Sequence, residues 1–243
     1  MWNLKIKGLK KAQKIISISK KTKEDLIKYF NIKPSKIKVI HLGIDEKFKP
    51  IINLQKLNSF ATKNNLPRSN KYILYVGSSV KRKNVDKIIM AFNKLKRVGH
   101  KNLKLLLITS LSDEIKKLIA KYKLNEEIYI RSNVEDWELV YFYNIASVFV
   151  FPSLYEGFGF PPLEAMACGC PVICSNISSL PEVVGNATLM INPNNIDDLV
   201  QAIITVLNND DIRKTLIKKG FDQVKKFSWE KTAQEVLKVY EKI

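Results

Sequence analysis

The chain has 243 residues, a hydrophobic content of 46% and a formal net charge of +18, from 41 Lys and Arg against 23 Asp and Glu. Its longest apolar runs, residues 103–109 and 147–151, are far shorter than the roughly 20 residues that span a bilayer, so we predict a globular protein without a transmembrane segment. The charge favours anionic partners, but only five of the cations are Arg and no exposed aromatic cluster accompanies them, so nucleic acid is not an expected partner.

The first third of the chain predicts a strand over 12–19, a helix over 21–30 and a strand over 36–41. These elements are too few to close a domain alone. Residues 48–70 contain two prolines and several asparagines, which indicates a connecting stretch with at most one short helix. Residues 1–19 alternate Lys with apolar residues and lack a continuous apolar core, so we predict no secretory signal and expect a cytoplasmic protein.

From residue 71 onward, short β-branched runs alternate with helical patterns, which is typical of a parallel sheet covered by helices on both faces. Strands are predicted over 72–76, 104–109, 128–131, 147–151, 171–174 and 188–191. Helices are predicted over 85–96, 113–123, 135–145, 162–167, 196–207 and 211–219. The predicted fold class is therefore α/β, with a Rossmann-like parallel sheet of six strands.

The last segment predicts an amphipathic helix that begins after Ser228 as its N-cap. One side of that helix carries its apolar residues, which are Trp229, Ala233, Val236, Leu237 and Tyr240. We expect this face to be exposed within the chain, because its natural support would be another domain.

Three cysteines, Cys168, Cys170 and Cys174, lie close together in the sequence. A metal would need a fourth ligand and a different spacing. We therefore predict no metal site and interpret them as small buried thiols at a helix end and in the strand that follows.

The loop from Tyr155 to Glu164 leaves a predicted strand and enters a helix, the position where open α/β sheets bind ligands. Gly157 and Gly159 let backbone N–H groups approach a ligand, and a helix N-terminus favours an anion. We place Glu164 in the first turn of that helix, where its carboxylate would accept hydrogen bonds from a ribose diol. The alternative is a carboxylate that only complements the helix dipole.

A second loop, Gly77 to Asn84, also connects a strand to a helix and carries Lys81, Arg82 and Lys83. Three cations at a helix N-terminus are unfavourable unless an anion such as a diphosphate offsets them. The alternative is a solvated basic turn.

The two loops together resemble the signature of the retaining GT-B glycosyltransferases. The similarity lies in Glu156-x7-Glu164 around Gly-Phe-Gly-Phe-Pro-Pro, in the segment 164–195 that follows, and in the Arg-Lys-Asn of the second loop. Many members carry Arg directly after the glycine of that loop, where this chain has Ser78. Either Arg82 supplies the second cation, or the loop binds phosphate more weakly. The resemblance covers residues 12–45 and 71–209.

The resemblance implies specific roles for the matched residues. The catalytic residues it implies are Glu156, on the donor sugar, and Lys83, on the diphosphate. The donor-binding residues it implies are Glu164, Gly157, Phe158, Gly159, Arg82, Gly77, Ser78, Gly43 and Glu182. Gly43 would lie in the interdomain crossover. Glu182 would lie in the loop that closes over the donor, or would cap the helix that begins there.

The implied domains are a remnant of an N-terminal Rossmann domain (1–45), a linker (46–70), a nucleotide-sugar-binding Rossmann domain (71–227) and a crossover helix (228–243). The implied reaction transfers a hexose, of mannose or glucose type, from a nucleoside diphosphate sugar to a glycan or lipid-linked hydroxyl with retention and without a metal or other cofactor. The Arg-Lys-Asn variant favours a guanine nucleotide.

The acceptor side of the family's active site comes mainly from an N-terminal region that this sequence does not match. The alternatives are therefore a non-catalytic nucleotide-sugar-binding module and one subunit of a split enzyme, whose partner subunit supplies that domain. The basic N-terminus, with Lys5, Lys7, Lys10, Lys11 and Lys14, is compatible with peripheral contact with anionic lipid at the inner membrane face.

Overall fold

A computed structural model describes residues 8–241. Its strands are β1 Ile15–Ser17, β2 Ile37–Val39, β3 Lys71–Val76, β4 Leu103–Ile108, β5 Ile128–Arg131, β6 Val148–Phe151, β7 Val172–Ser175 and β8 Leu189–Ile191. Its principal helices are α1 Lys20–Phe30, α2 Leu54–Lys63, α3 Val85–Arg97, α4 Asp113–Lys121, α5 Asp136–Ile145, α6 Phe160–Ala167, α7 Leu180–Val184, α8 Ile196–Asn208, α9 Asp210–Val224 and α10 Trp229–Tyr240. Short 3-10 turns cover Pro34–Lys36, Lys81–Lys83 and Asn125–Glu127.

The main sheet has six strands in the order β5-β4-β3-β6-β7-β8, and every pairing is parallel. Strand β6 is buried along its whole length, which fits a sheet with helices on both faces. The predicted α/β class and the Rossmann-like sheet are confirmed. Because the strand order reverses between β3 and β6, this point of the carboxyl edge is where sheets of this kind form their ligand-binding crevice.

A second, two-stranded sheet pairs β1 with β2 in parallel, and α1 connects them. Ile15, Ile32 and Ile37 form its own small core. Both strands have three residues, so the predicted strands over 12–19 and 36–41 are right in place but too long.

The apolar face of α10 is exposed, as predicted: Trp229, Leu237 and Tyr240 are 47%, 59% and 69% exposed. Thr232 anchors the opposite face, because its hydroxyl donates to the carbonyl oxygen of His41 at 2.8 Å. The helix therefore rests on the chain along one side only.

All three cysteines are buried and free. Burial raises the pKa of Cys168 and of Cys174 to about 12, and raises that of Cys170 as well. Their interpretation as small buried thiols is confirmed. Between residues 8 and 241, no helix is long and apolar enough to cross a membrane. Two lysines of the basic N-terminus, Lys5 and Lys7, lie outside the described residues.

Candidate functional site

The loops that follow β3 and β6 are held against each other at the switch point. Asn84 is buried with a left-handed φ of 61°, and its Nδ2 donates to the carbonyl oxygens of Pro152 at 3.1 Å and Pro193 at 2.8 Å. The backbone N–H of Leu154 donates to the carbonyl oxygen of Arg82 at 2.8 Å. These bonds fix the distance between the two loops.

A buried ion pair joins the two loops. The Nζ atom of Lys83 lies 2.6 Å from Oε1 of Glu156, and the two side chains are only 12% and 10% exposed. Arg82 approaches the other carboxylate oxygen at 3.5 Å, and Lys83 also lies 5.0 Å from the ring centroid of Phe151. The structure therefore brings together the two predicted catalytic residues and the predicted second cation.

Two serines hold the backbone of Glu156. The Oγ atom of Ser178 accepts from the N–H of Glu156 at 3.0 Å and lies 2.9 Å from its carbonyl oxygen. Ser179, which is fully buried, places its Oγ 3.0 Å and 2.7 Å from the carbonyl oxygens of Glu156 and Phe158. The contacts of Ser178 and Ser179 with Glu156 were not predicted from the sequence.

Helix α6 begins at Phe160, two residues earlier than predicted. Glu164 is therefore the fifth residue of the helix, and its assignment to the first turn is wrong. The helix dipole acts mainly within the first turn, so it is a weaker explanation for this carboxylate. Gly159 precedes the helix with a φ of 131°, and a Cβ there would lie 2.9 Å from Leu180, so the position requires glycine.

Glu164 is held in a mostly buried environment. The hydroxyl of Tyr143 donates to its Oε2 at 2.8 Å. Burial raises the pKa of Glu164 to about 7, although the Tyr143 hydrogen bond lowers it. Tyr143 was not predicted as a site residue, because it lies in the nearly continuous apolar run of α5, which carries no polar signal.

Four predicted donor-binding residues are placed as follows. Phe158 is buried, and its ring packs near Phe160 and Phe227, so only its backbone is available to a ligand. Gly157 lies in the same loop, and a Cβ there would make only an ordinary contact. Gly77 has a φ of 148°, and its neighbour Ser78 accepts a hydrogen bond at its carbonyl oxygen from Tyr75 at 2.7 Å.

Glu182 contacts α1. Its carboxylate accepts from the backbone N–H groups of Lys20 at 3.0 Å and Lys21 at 3.3 Å, which satisfies the first amides of that helix. Of the two alternatives for Glu182, capping of α7, the helix that starts near its own position, is wrong, since the helix that it caps is α1. Its place in a loop that closes over the donor stays a prediction.

Gly43 is buried against the start of α10. A Cβ at this position would lie 2.2 Å from the backbone nitrogen of Trp229. Glycine is thus required by packing against the helix, and the donor-binding role of Gly43 stays a prediction.

The β6–α6 loop is also attached to α1. Tyr155 donates from its hydroxyl to Asp25 at 2.7 Å, and Asp25 pairs with Lys21 as well. Burial alone would raise the pKa of Asp25, but the hydrogen bonds from Lys21 and Tyr155 outweigh it and hold the pKa below its usual value. Tyr155 has its own pKa raised to about 12 by burial and by this contact. The contact between Tyr155 and Asp25 was not predicted from the sequence.

The fold and the site define a doubly wound α/β domain whose charged residues meet at the switch point, the place where such domains bind their ligands. The family model described as "Glycosyl transferases group 1" matches residues 58–223, and that described as "Glycosyltransferase Family 4" matches residues 1–48. The chain belongs to the group 1 glycosyl transferases, and its sheet matches that of GT-B glycosyltransferase structures.

Relatives agree with this assignment. The O-antigen chain mannosyltransferase B of Escherichia coli is 33% identical over 236 residues, which cover 96% of this chain and 61% of that protein. A glycosyltransferase from Rickettsia africae ESF-5 superposes with a TM-score of 0.86 at 25% identity, covering 99% of this chain and 67% of that one. Anabaena Alr3699/HepE, solved in complex with UDP-glucose, gives a TM-score of 0.88 over 99% of this chain and 67% of its own; at 15% identity it shows the fold alone.

Proposed function

We propose that the crevice between β3 and β6 binds a nucleoside diphosphate sugar, and that the chain takes part in transferring its hexose, with retention, to a hydroxyl acceptor. The observation that supports this most is the buried pair of Lys83 with Glu156 at the switch point, 2.6 Å apart, with Arg82 beside it. The two cations suit the negative charge of a diphosphate, and the carboxylate can accept hydrogen bonds from the hydroxyls of the adjacent sugar.

In this proposal the diphosphate takes the place of Glu156 as the partner of Lys83. The ammonium and the Arg82 guanidinium then stabilise the negative charge that grows on the departing nucleotide. Glu156, released from Lys83, accepts hydrogen bonds from hydroxyls of the sugar. The backbone of the Gly157–Gly159 segment supplies N–H donors to the sugar and phosphate.

Glu164 holds the nucleoside in this proposal. A carboxylate accepts well from the two hydroxyls of a ribose, and such charge-assisted bonds are worth about 1.5–3 kcal/mol each. The transfer needs no metal in this scheme, because Lys83 and Arg82 carry the positive charge that a divalent ion would otherwise supply. Gly77 and Ser78 would lie near the phosphates.

The names of the relatives favour one choice of donor sugar and nucleotide. The E. coli relative at 33% identity is named a mannosyltransferase of an O-antigen chain, which favours mannose, a guanine nucleotide and a glycan or lipid-linked acceptor. A glucose-type donor is the second choice, since Anabaena HepE binds UDP-glucose on the same fold.

A second function is compatible with the same site, namely that of a non-catalytic donor-binding module or one half of a split enzyme. The chain spans 61% of the length of its E. coli relative. Supplying a separate acceptor-side domain from that relative, with GDP-mannose and UDP-glucose as donors, distinguishes the two. Turnover supports the transferase, and nucleotide binding without any turnover supports the module.

Titration calorimetry with GDP and UDP tests the proposed site directly. We expect the wild-type chain to bind one of them, and Lys83→Ala and Glu164→Ala to lose that binding. Lys71→Ala is a matched control: its Nζ donates to the carbonyl oxygen of Leu207, and Lys71 begins β3, at the opposite edge of the sheet. Failure of the wild-type chain to bind either nucleotide would contradict the proposal.

Peripheral membrane contact is a separate part of the proposal. Lys10, Lys11 and Lys14 are exposed or partly exposed, and Lys36 lies beside them, since its Nζ donates to the carbonyl oxygen of Lys10 at 3.1 Å. Flotation with anionic vesicles should show binding that weakens as salt rises, because exposed charges are screened. Salt-independent flotation, or none, would contradict an electrostatic contact.

A further inference from the structure

Tyr143 is a buried tyrosine whose hydroxyl meets the candidate nucleotide site. It is 0% exposed, and its ring packs edge-on against Phe149 at 5.5 Å and Phe48 at 6.0 Å between centroids. Its hydroxyl donates to Oε2 of Glu164 at 2.8 Å. Within residues 8–241, this is the one hydrogen bond that the structure gives to the Glu164 side chain.

We propose that Tyr143 is a positioning residue for nucleotide recognition, which holds one oxygen of Glu164 so that the other oxygen is presented to the ribose diol. The inference rests on the proposed function, since it assigns Glu164 to the ribose. Tyr143 does not touch the nucleotide in this scheme, and it acts only through the carboxylate.

The geometry favours this role over packing alone. A phenylalanine would fill the same space against Phe48 and Phe149, so packing does not require the hydroxyl. A buried hydroxyl that donates to a buried carboxylate restricts that carboxylate to one orientation, and an acceptor with a fixed orientation loses less entropy when it binds a diol. Oε1 has no hydrogen-bond donor within the described residues, which leaves it available.

The charge state of Glu164 provides an independent readout. Burial raises its pKa to about 7, and the Tyr143 hydrogen bond opposes that rise. Three other charged groups act on it: Asp136 and Asp45 raise the pKa and Lys47 lowers it. Lys47 pairs with both of these aspartates, at 2.7 Å and 2.9 Å. Cys168 and Tyr143 are neutral in this range, because burial raises both of their pKa values.

These effects on the pKa of Glu164 determine how nucleotide binding should change with pH. The ribose needs the carboxylate form, so nucleotide binding should strengthen as the pH rises through the pKa of Glu164. Removing the Tyr143 hydrogen bond raises that pKa further. The variant should therefore need a higher pH to reach its full affinity.

The experiment titrates wild type, Tyr143→Phe and Tyr72→Phe with GDP, UDP and their 2′,3′-dideoxy analogues from about pH 6 to pH 9. Tyr72 is a matched control, because it is 1% exposed and its hydroxyl donates to the carbonyl oxygen of Pro67 at 2.9 Å. We expect Tyr143→Phe to bind the preferred ribonucleotide about tenfold more weakly at pH 7, with the pH midpoint moved upward. The dideoxy analogue should bind both proteins equally, and Tyr72→Phe should match wild type throughout.

A double-mutant cycle with Glu164→Gln separates positioning from a general structural effect. If Tyr143 acts through Glu164, then Tyr143→Phe has no further effect once Glu164 is replaced; additive losses would overturn the inference. Circular dichroism and thermal unfolding establish that each variant is folded. Should Tyr143→Phe fail to fold, equal pH dependence of ribose and dideoxy nucleotide binding by the wild type would still overturn the inference, because Glu164 would then have no contact with the ribose for Tyr143 to position.

The two proposals fail in different ways. If wild type binds neither nucleotide, the proposed function is refuted, and the inference with it. If wild type binds but Tyr143→Phe has the same affinity and pH midpoint, only the positioning role of Tyr143 is refuted.

Discussion

The Lys83–Glu156 pair predicts a large and asymmetric response to mutation. At 2.6 Å and an effective dielectric constant of about 20, the attraction between the two charges is about 6 kcal/mol. Loss of water from both groups offsets most of that attraction. Removing one partner of a buried pair usually costs about 3–5 kcal/mol, because the other charge stays behind in the interior.

Lys83→Met should therefore lower the free energy of unfolding by about 3 kcal/mol, at the low end of that range, because Arg82 remains 3.5 Å from Glu156. Glu156→Gln should lower the free energy of unfolding by a smaller amount, since the flexible Lys83 side chain can turn its ammonium toward water. The double variant leaves no buried charge and should recover about 2 kcal/mol relative to the sum of the single losses.

Urea unfolding followed by circular dichroism measures these free energies. Lys94→Met is a matched control, because Lys94 lies 2.7 Å from Asp197 but the two side chains are 49% and 70% exposed. That exposed pair should contribute less than about 1 kcal/mol. Equal losses for Lys83→Met and Lys94→Met, or strictly additive losses in the cycle, would refute the reasoning that burial makes this pair strong.

Three further predictions concern the residues around the site. The pKa of Glu164 is raised from 4.5 to about 7 in the folded state, so ionisation of this carboxyl opposes folding. Glu164→Gln should therefore raise the free energy of unfolding by up to roughly 3 kcal/mol at pH 8 and leave it unchanged near pH 4. A difference in urea unfolding that does not depend on pH would contradict this. Gly43→Ala, which places a Cβ 2.2 Å from the backbone of Trp229, should lower stability by about 3 kcal/mol or more in thermal unfolding, while Gly8→Ala, with nothing within 4 Å, should not. Asn84→Ala removes two buried hydrogen bonds and leaves alanine at a φ of 61°, so it should lower the free energy of unfolding by about 3 kcal/mol and weaken nucleotide binding. Unchanged nucleotide affinity would mean that the two loops keep their positions without the Asn84 side chain.

The main sheet could be predicted from the sequence because its strands are continuous β-branched and apolar runs separated by helical periodicity. Strand β5 was predicted with its observed bounds, and the other five strands to within one residue at each end. The N-terminal strands were predicted too long, because only Ile15–Ser17 and Ile37–Val39 pair with each other in the β1–β2 ladder. Local periodicity indicates which face of a strand is buried, but it does not show how many of its residues pair with a neighbouring strand.

The site could be predicted only in part. Lys83 and Glu156 were predicted from their motifs, but their contact depends on the pairing of β3 with β6, a strand order that the sequence did not predict. Tyr143 and Glu182 act through contacts with residues far along the chain, and nothing in their local sequence marks those partners. The domain boundaries at residues 45, 70 and 227 stay predictions.

The contacts of α1 with the candidate site fix the position of the N-terminal segment relative to the main sheet. Glu182 caps α1, and Asp25 of α1 binds Tyr155, the residue before Glu156. The strand-helix-strand unit of β1, α1 and β2 is therefore attached to the loop that carries Glu156 and to α7. A parallel sheet of two strands is too small to be stable alone, and these contacts with the main domain support it. Under the proposed function, loss of the Asp25–Tyr155 bond should change the rate of sugar transfer more than nucleotide affinity, which separates this contact from the roles of Lys83 and Glu164.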